Sequence, residues 1–247
     1  MKFKTLGNPA NPAALLIHAM FVSETMFHSI ASILQDNYYV ILPTLDGHDL
    51  SEDSTFISAQ DEACKIADYL QKEQQTNIEI LLGTSLGGII AFELFRQSKI
   101  TIHHIFLDGA PFIRLSDFRI NIMAKVFKKI AHSSARHPEK ANILDKLYPQ
   151  KAAEMKKICG HMSDESVKHL TQTCYTYELP PAIKLDLGQS VTFIYGTAEK
   201  ARVCIPTVKK FTNCRLIIKE NCGHCEFLAK NPRQYVEMLE SVQPQHS

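Results

Sequence analysis

Six short apolar runs rich in β-branched residues recur along the chain: AALLIH (Ala13–His18), YYVILP (Tyr38–Pro43), IEILLG (Ile78–Gly83), IHHIFLD (Ile102–Asp108), VTFIYG (Val191–Gly196) and CRLIIK (Cys214–Lys219). Runs of this kind, separated by segments of helical period, predict an α/β fold with a mostly parallel central sheet covered by helices on both faces. FKT near the start predicts a further strand. Met26, Phe27, Ile30, Ile33 and Leu34 form one stripe behind Ser23, the pattern of a surface helix laid on a sheet. Ser58 and Asp61 resemble a capping box ahead of Ile66, Tyr69 and Leu70, and Asn231-Pro232 reads as an N-cap with proline at N1. At 247 residues the chain is long enough to close one such core.

The alternation fails between Phe112 and Leu187, where helical patterns continue without a strand. This predicts a core of residues 1–111 and 188–247 with a helical cap, 112–187, inserted into it. The insertion is locally basic, with 12 Lys and Arg against 6 Asp and Glu from Phe112 to Leu170. Within it Leu115, Phe118, Ile122, Met123, Val126, Phe127 and Ile130 make an apolar stripe opposite Lys125, Lys128 and Lys129. We read this segment first as a lid helix with its apolar side packed inward and its lysines in water. The other reading is attraction to an anionic substrate or peripheral contact with a lipid surface.

A net charge of +1 gives no global field to favour nucleic acid, so any charge-driven binding has to be local. No segment approaches the ~18 apolar residues of a membrane span, and the N-terminal stretch lacks a small-residue cleavage site, so the expected compartment is the cytoplasm. Seven irregularly spaced cysteines fit reduced thiols better than a disulfide framework.

The strand IEILLG runs directly into GTSLGG (Gly83–Gly88) and then into the helical IIAFELF. A serine at a strand-to-helix junction, with glycine two before and two after, matches the GxSxG elbow. Such a turn lifts the Ser85 hydroxyl clear of the sheet edge, and the following helix start offers free N–H groups, that of Leu86 included, to a developing oxyanion. No Walker lysine follows and no GxGxxG ends a strand, so no nucleotide cofactor is expected.

A serine hydroxyl needs a base, and the base needs an acid to fix its tautomer. NCGHCEF (Asn221–Phe227) follows the last strand and offers His224. Its Cys222-Gly223-His224-Cys225 core also has the form of a redox motif, but only 22 residues follow Cys225, too few for the strands that a thioredoxin-like fold places after it. No second CxxC or HxxxH supplies a metal set, so no metal is expected. For the acid, Glu199 stands three residues past Gly196, with Asp108 at the end of an earlier strand as the rival. Asp186 precedes its strand and lies at the wrong end of the sheet.

With GTSLGG, Glu199 and the His224 turn in the order nucleophile, acid, histidine, the chain resembles the α/β-hydrolase superfamily over nearly its full length. LLIHAMF (Leu15–Phe21) stands where that family carries an HG-x motif after its third strand, and LPTLDGHD (Leu42–Asp49) resembles its D-x-P-G-H-G loop. The resemblance implies an oxyanion hole from the N–H groups of Met20 and Leu86, a helical cap after the sixth strand, and no cofactor. Ala19 replaces the usual glycine, which carries a penalty if the backbone there has positive φ. His18 and His48 are expected to hold loops by hydrogen bonds. The expected activity is hydrolysis of an ester of short to medium acyl chain. Thioesters, peptides and carbon–carbon bonds remain open on the same triad, as does a catalytically silent binding role.

Overall fold

The computed structural model of the chain describes residues 1–147 and 151–241, so 148–150 of the expected insertion and 242–247 of the expected core lie outside it. Among the described residues a single sheet holds β1 (Lys2–Leu6), β2 (Ala13–Ile17), β3 (Tyr39–Thr44), β4 (Asn77–Thr84), β5 (Thr101–Asp108), β6 (Ser190–Gly196) and β7 (Arg215–Lys219). Their order is β1-β3-β2-β4-β5-β6-β7, and all neighbours are parallel except β1, which runs antiparallel to β3. Each of the six apolar runs is a strand, and FKT lies within β1. The sheet opens with this one antiparallel strand, so LLIHAMF begins within the second strand and runs past its end, and the insertion follows the fifth. The family's numbering would put each of them one strand later.

Alternation along each strand feeds two cores. Leu15, Ile17, Ile41, Leu81 and Leu107 face one side, where α2 (Ala59–Lys72) and α3 (Leu86–Gln97) pack. Ala14, Leu16, Val40, Leu82 and Phe106 face the other, against α1 (His28–Leu34) and residues of α9 (Glu226–Lys230) and α10 (Pro232–Glu240). All five β2 residues are therefore buried, which a strand open to water on one face would not allow. Ser58 caps α2 by accepting the Asp61 N–H at 3.1 Å. Ser23 caps only a 3-10 turn, Glu24–Phe27, that leads into α1. Asn231 makes no side-chain cap bond, leaving Pro232 at N1 to start α10.

Between β5 and β6 stand α4 (Asp117–Arg136), α5 (Ile143–Leu147), α6 (Ala152–His161) and α7 (Asp164–Thr176), and no strand among the described residues. The helix α4 departs from the inward-packing expectation. Its buried side is Ile120, Ala124, Ala131 and Ser134, with Phe127 half-buried, while Phe118, Ile122 and Val126 are exposed. The apolar residues form two lines about half a turn apart, and only one of them meets the core. After β6, a 3-10 turn and α8 (Ile205–Val208) lead to β7.

The chain passes from β2 outward to β3, then returns across β2 to β4. That reversal opens a crevice beyond the carboxyl ends of β2 and β4, where open α/β sheets place their sites.

Candidate active site

Ser85 sits in this crevice with φ 53° and ψ −114°, a conformation that costs a non-glycine residue about 1–3 kcal/mol. The turn is held by what surrounds it. A Cβ on Gly87 would lie 2.1 Å from the Ile17 carbonyl oxygen, and one on Gly83 would lie 2.2 Å from that of Gly87. Backbone thus crosses backbone where both glycines stand, and no larger residue fits without moving β2. The Ser85 N–H donates to the Asp108 carbonyl at 2.7 Å, tying the elbow to the end of β5. Leu86 opens α3, so its N–H has no intrahelical acceptor.

The same β5 terminus carries the imidazole. Gly109 has φ +64°, and a Cβ there would come within 2.9 Å of His224 Cε1 and Nδ1 and 3.0 Å of Glu199 Oε2. Only glycine lets the ring lie this close. His224 Nδ1 meets Glu199 Oε2 at 2.7 Å, and Glu199 Oε1 accepts the Gly196 N–H at 2.6 Å. One carboxylate thus spans the β6 turn and the ring, with its own side chain fully buried and the ring partly open. Asp108 takes a different partner: its Oδ2 accepts the Tyr235 hydroxyl at 2.8 Å. Burial pushes the Asp108 carboxyl up to about 7, against the pull of the tyrosine bond.

Across the crevice, two buried histidines lace the loops after β2 and β3. The Leu45 N–H donates to His18 Nε2 at 3.0 Å, and the Phe21 N–H donates to His48 Nε2 at 3.2 Å. Each ring therefore carries its proton on Nδ1, donating to the Ala19 carbonyl at 2.8 Å and the Asp46 carbonyl at 3.1 Å. The Ala19 N–H faces Met26 Sδ at 3.4 Å. Among the described residues the amide of Met20, between Ala19 and Phe21, has no hydrogen-bond acceptor. The positive φ that the Ala19 substitution called into question falls two residues later, at Phe21 with φ 64°. The turn that follows is pinned from the insertion: Glu154 of α6 accepts from the Ser23 hydroxyl at 2.7 Å and the Thr25 hydroxyl at 2.6 Å.

Burial lowers the pKa of His18 to about 4, and burial together with the neighbouring His18 takes His48 well below its usual value. A base whose folded pKa lies below its unfolded value of about 6.5 stabilises the fold fully above pH 6.5, and this is lost as pH falls toward 4. Urea titrations of wild type and His18→Gln should therefore diverge with pH. From pH 7 down to 4 the wild type should lose roughly 3 kcal/mol relative to a variant that has no proton to take up.

Several features of the site had no signature in the sequence. Tyr235 and Glu154 act from 127 and 131 residues away, and no local pattern announces such contacts. Gly109 did carry a signal, an Asp-Gly pair at a strand end. The two cysteines beside His224 are not poised for thiolate chemistry: burial, with the Asp108 and Glu199 charges, raises the Cys225 thiol well above normal, and burial raises Cys222.

A model of the Alpha/beta hydrolase family matches residues 14–238. An AB hydrolase superfamily protein of Gibberella zeae is 26% identical over 103 residues, covering 41% of this chain and 36% of that relative, so the match spans about a third of the relative's length. Among solved structures, one assigned to an alpha/beta hydrolase family protein from Desulfitobacterium hafniense shares 23% identity over 98% of this chain and 99% of that one, with a TM-score of 0.77. A thermophilic esterase from Thermogutta terrifontis shares 16% identity, with 98% and 94% covered and a TM-score of 0.74. An enol-lactonase from Burkholderia xenovorans shares 14%, with 98% and 95% covered and a TM-score of 0.77. At these identities the structures speak for the fold, whereas the family match runs without a break from β2 into α10, and on that ground the chain belongs to the alpha/beta hydrolase family.

Proposed function

We propose that the chain is a serine hydrolase that cleaves carboxylic esters of short to medium acyl chain. Ser85 attacks the carbonyl while His224 takes its proton, and Glu199 fixes the ring with its proton on Nδ1 and stabilises the imidazolium. The N–H groups of Leu86 and Met20 receive the oxyanion. A water activated by His224 then releases the acid, with no metal or organic cofactor in the scheme.

The 2.7 Å contact between Glu199 and His224 carries this reading, because it lies against the same β5 corner that binds the Ser85 amide. The Met20 amide supports it, since among the described residues no protein group accepts its N–H. The names of two fold neighbours, an esterase and an enol-lactonase, point to ester bonds, a lactone being a cyclic ester. In this reading residues 112–187 form a cap over a core of 1–111 and 188–247. The protein works in the cytoplasm, where its seven free cysteines stay reduced.

A series of p-nitrophenyl esters of graded chain length, run beside a thioester, a peptide and a fluorophosphonate probe, tests the proposal. The expected result is covalent labelling of Ser85, with ester turnover highest among short to medium chains. An unlabelled protein would be a binder, and labelling with preference for the thioester or peptide would reassign the bond cleaved.

A further inference from the structure

The outward side of α4 is not accounted for by the fold or the site. Phe118, Ile122 and Val126 are 74%, 47% and 50% exposed and stand four residues apart, so they form one line along the helix. Isolated apolar residues on a surface need no explanation, but an aligned group beginning with an aromatic does. The line sits on a strongly basic element. From Asp117 to Arg136 the helix carries five Lys and Arg against one Asp, a net +4 on a chain whose total is +1. Helical spacing puts Lys125, Lys129 and Arg136 on the same outward sector as Phe118 and Ile122. The sector is therefore apolar toward its N-terminal end and cationic toward its C-terminal end.

The charges are largely uncommitted. Asp164 engages Lys128 at 3.4 Å and His132 at 2.7 Å, but among the described residues no carboxylate pairs with Arg119, Lys125, Lys129 or Arg136. A groove of about 500 Å³ runs along this basic stretch.

We propose that α4 docks the protein on an anionic lipid surface, inserting Phe118, Ile122 and Val126 among the acyl chains and setting Lys125, Lys129 and Arg136 against headgroup phosphates. A bilayer offers hydrocarbon and negative charge side by side, as the helix does. A second copy of this chain would bring two helices of net +4 face to face. Nucleic acid would meet the lysines and leave the aliphatic residues in water. No helix among the described residues is long and apolar enough to cross a membrane, so the contact is peripheral.

The inner face of α4 gives this docking a consequence that rests on the proposed hydrolase function. Phe127 packs edge-on against Phe21 of the oxyanion loop with ring centroids 5.8 Å apart. One helix then touches the lipid outside and the roof of the crevice inside, which favours acyl esters drawn from the interface.

The test is co-sedimentation of the full chain with phosphatidylcholine vesicles, with and without phosphatidylserine, at low and high salt. Wild type should pellet with the anionic vesicles at low salt and remain in solution with the neutral ones. Lys125→Gln with Lys129→Gln should lower the partition coefficient about thirtyfold, at roughly fivefold per charge removed. Phe118→Ser with Val126→Ser should weaken it as well, with circular dichroism unchanged. Equal binding to neutral vesicles, no binding at low salt, or indifference to either pair of substitutions overturns the proposal. So does a dimer lost in Phe118→Ser from a protein that ignores vesicles. Ser85→Ala should pellet like wild type, so failure of docking and failure of the hydrolase reading are told apart.

Discussion

Ser85→Ala should lower kcat on the best ester by about 10³–10⁶-fold and abolish fluorophosphonate labelling, with the urea midpoint almost unmoved. The separation of activity from stability follows from what the hydroxyl does in the fold. Ser85 occupies the N-cap position of α3 but its side chain makes no cap bond, so alanine removes no structural contact. Both residues carry the same Cβ and so meet the same backbone strain at φ 53°. The bond that anchors the elbow is made by the backbone N–H to Asp108, which alanine retains. Some rate above the uncatalysed reaction should survive in the variant, because the Leu86 and Met20 amides would still meet the oxyanion. A variant with undiminished turnover would show that the nucleophile lies elsewhere, and one whose urea midpoint falls steeply would show that the elbow depends on the hydroxyl.

What the sequence made legible was whatever local periodicity and chain order determine. Five of the six apolar runs are strands buried for most of their length between two covered faces, the sixth, β7, being a partly exposed edge strand, and GTSLGG is legible because crossing backbones leave room only for glycine at 83 and 87. Orientation was not legible. The sequence reads as one apolar stripe opposite the lysines of α4, but the helix carries two apolar lines, Phe118, Ile122 and Val126 on one and Phe127 and Ile130 on the other, and spacing alone does not say which of them α6 and α7 will cover. Chain position favours Glu199 over Asp108 without showing which other groups reach either carboxylate. Asp108 ends β5 and Glu199 lies three residues past the end of β6, and Tyr235, a residue of the last helix, takes up Asp108 from 127 positions away while Glu199 lies against His224. Ala19 stands where the family resemblance places glycine, yet the left-handed residue is Phe21, where the His48 ring accepts the amide N–H and Phe127 covers the side chain. Long-range partners fix these details, and they leave no local mark.

Glu199→Gln and Asp108→Asn should separate the two carboxylates by about two or more orders of magnitude in kcat. The Glu199 side chain accepts on both oxygens, from the Gly196 N–H at 2.6 Å and from His224 Nδ1 at 2.7 Å. A glutamine has one acceptor and one donor to offer the same pair. If its oxygen stays with Gly196, its NH₂ faces Nδ1 and drives the imidazole to the tautomer protonated on Nε2, which cannot take a proton from serine. If the amide turns over, two N–H groups face each other at Gly196. Either way turnover should fall roughly 10³–10⁴-fold while the fold persists. Asparagine at 108 still presents an oxygen to the Tyr235 hydroxyl and touches no reacting group, so its kcat should stay within about tenfold of wild type. Its stability should change in the opposite sense. Burial raises the Asp108 carboxyl from 3.8 to about 7, so its contribution is complete below pH 3.8 and is lost as pH rises through 7. A side chain with no proton to lose escapes that penalty, and above pH 7 Asp108→Asn should exceed wild type by on the order of a few kcal/mol in urea titration. If Asp108→Asn loses activity while Glu199→Gln keeps it, the acid is the carboxylate bound to Tyr235 and the 2.7 Å contact serves only to hold the loop.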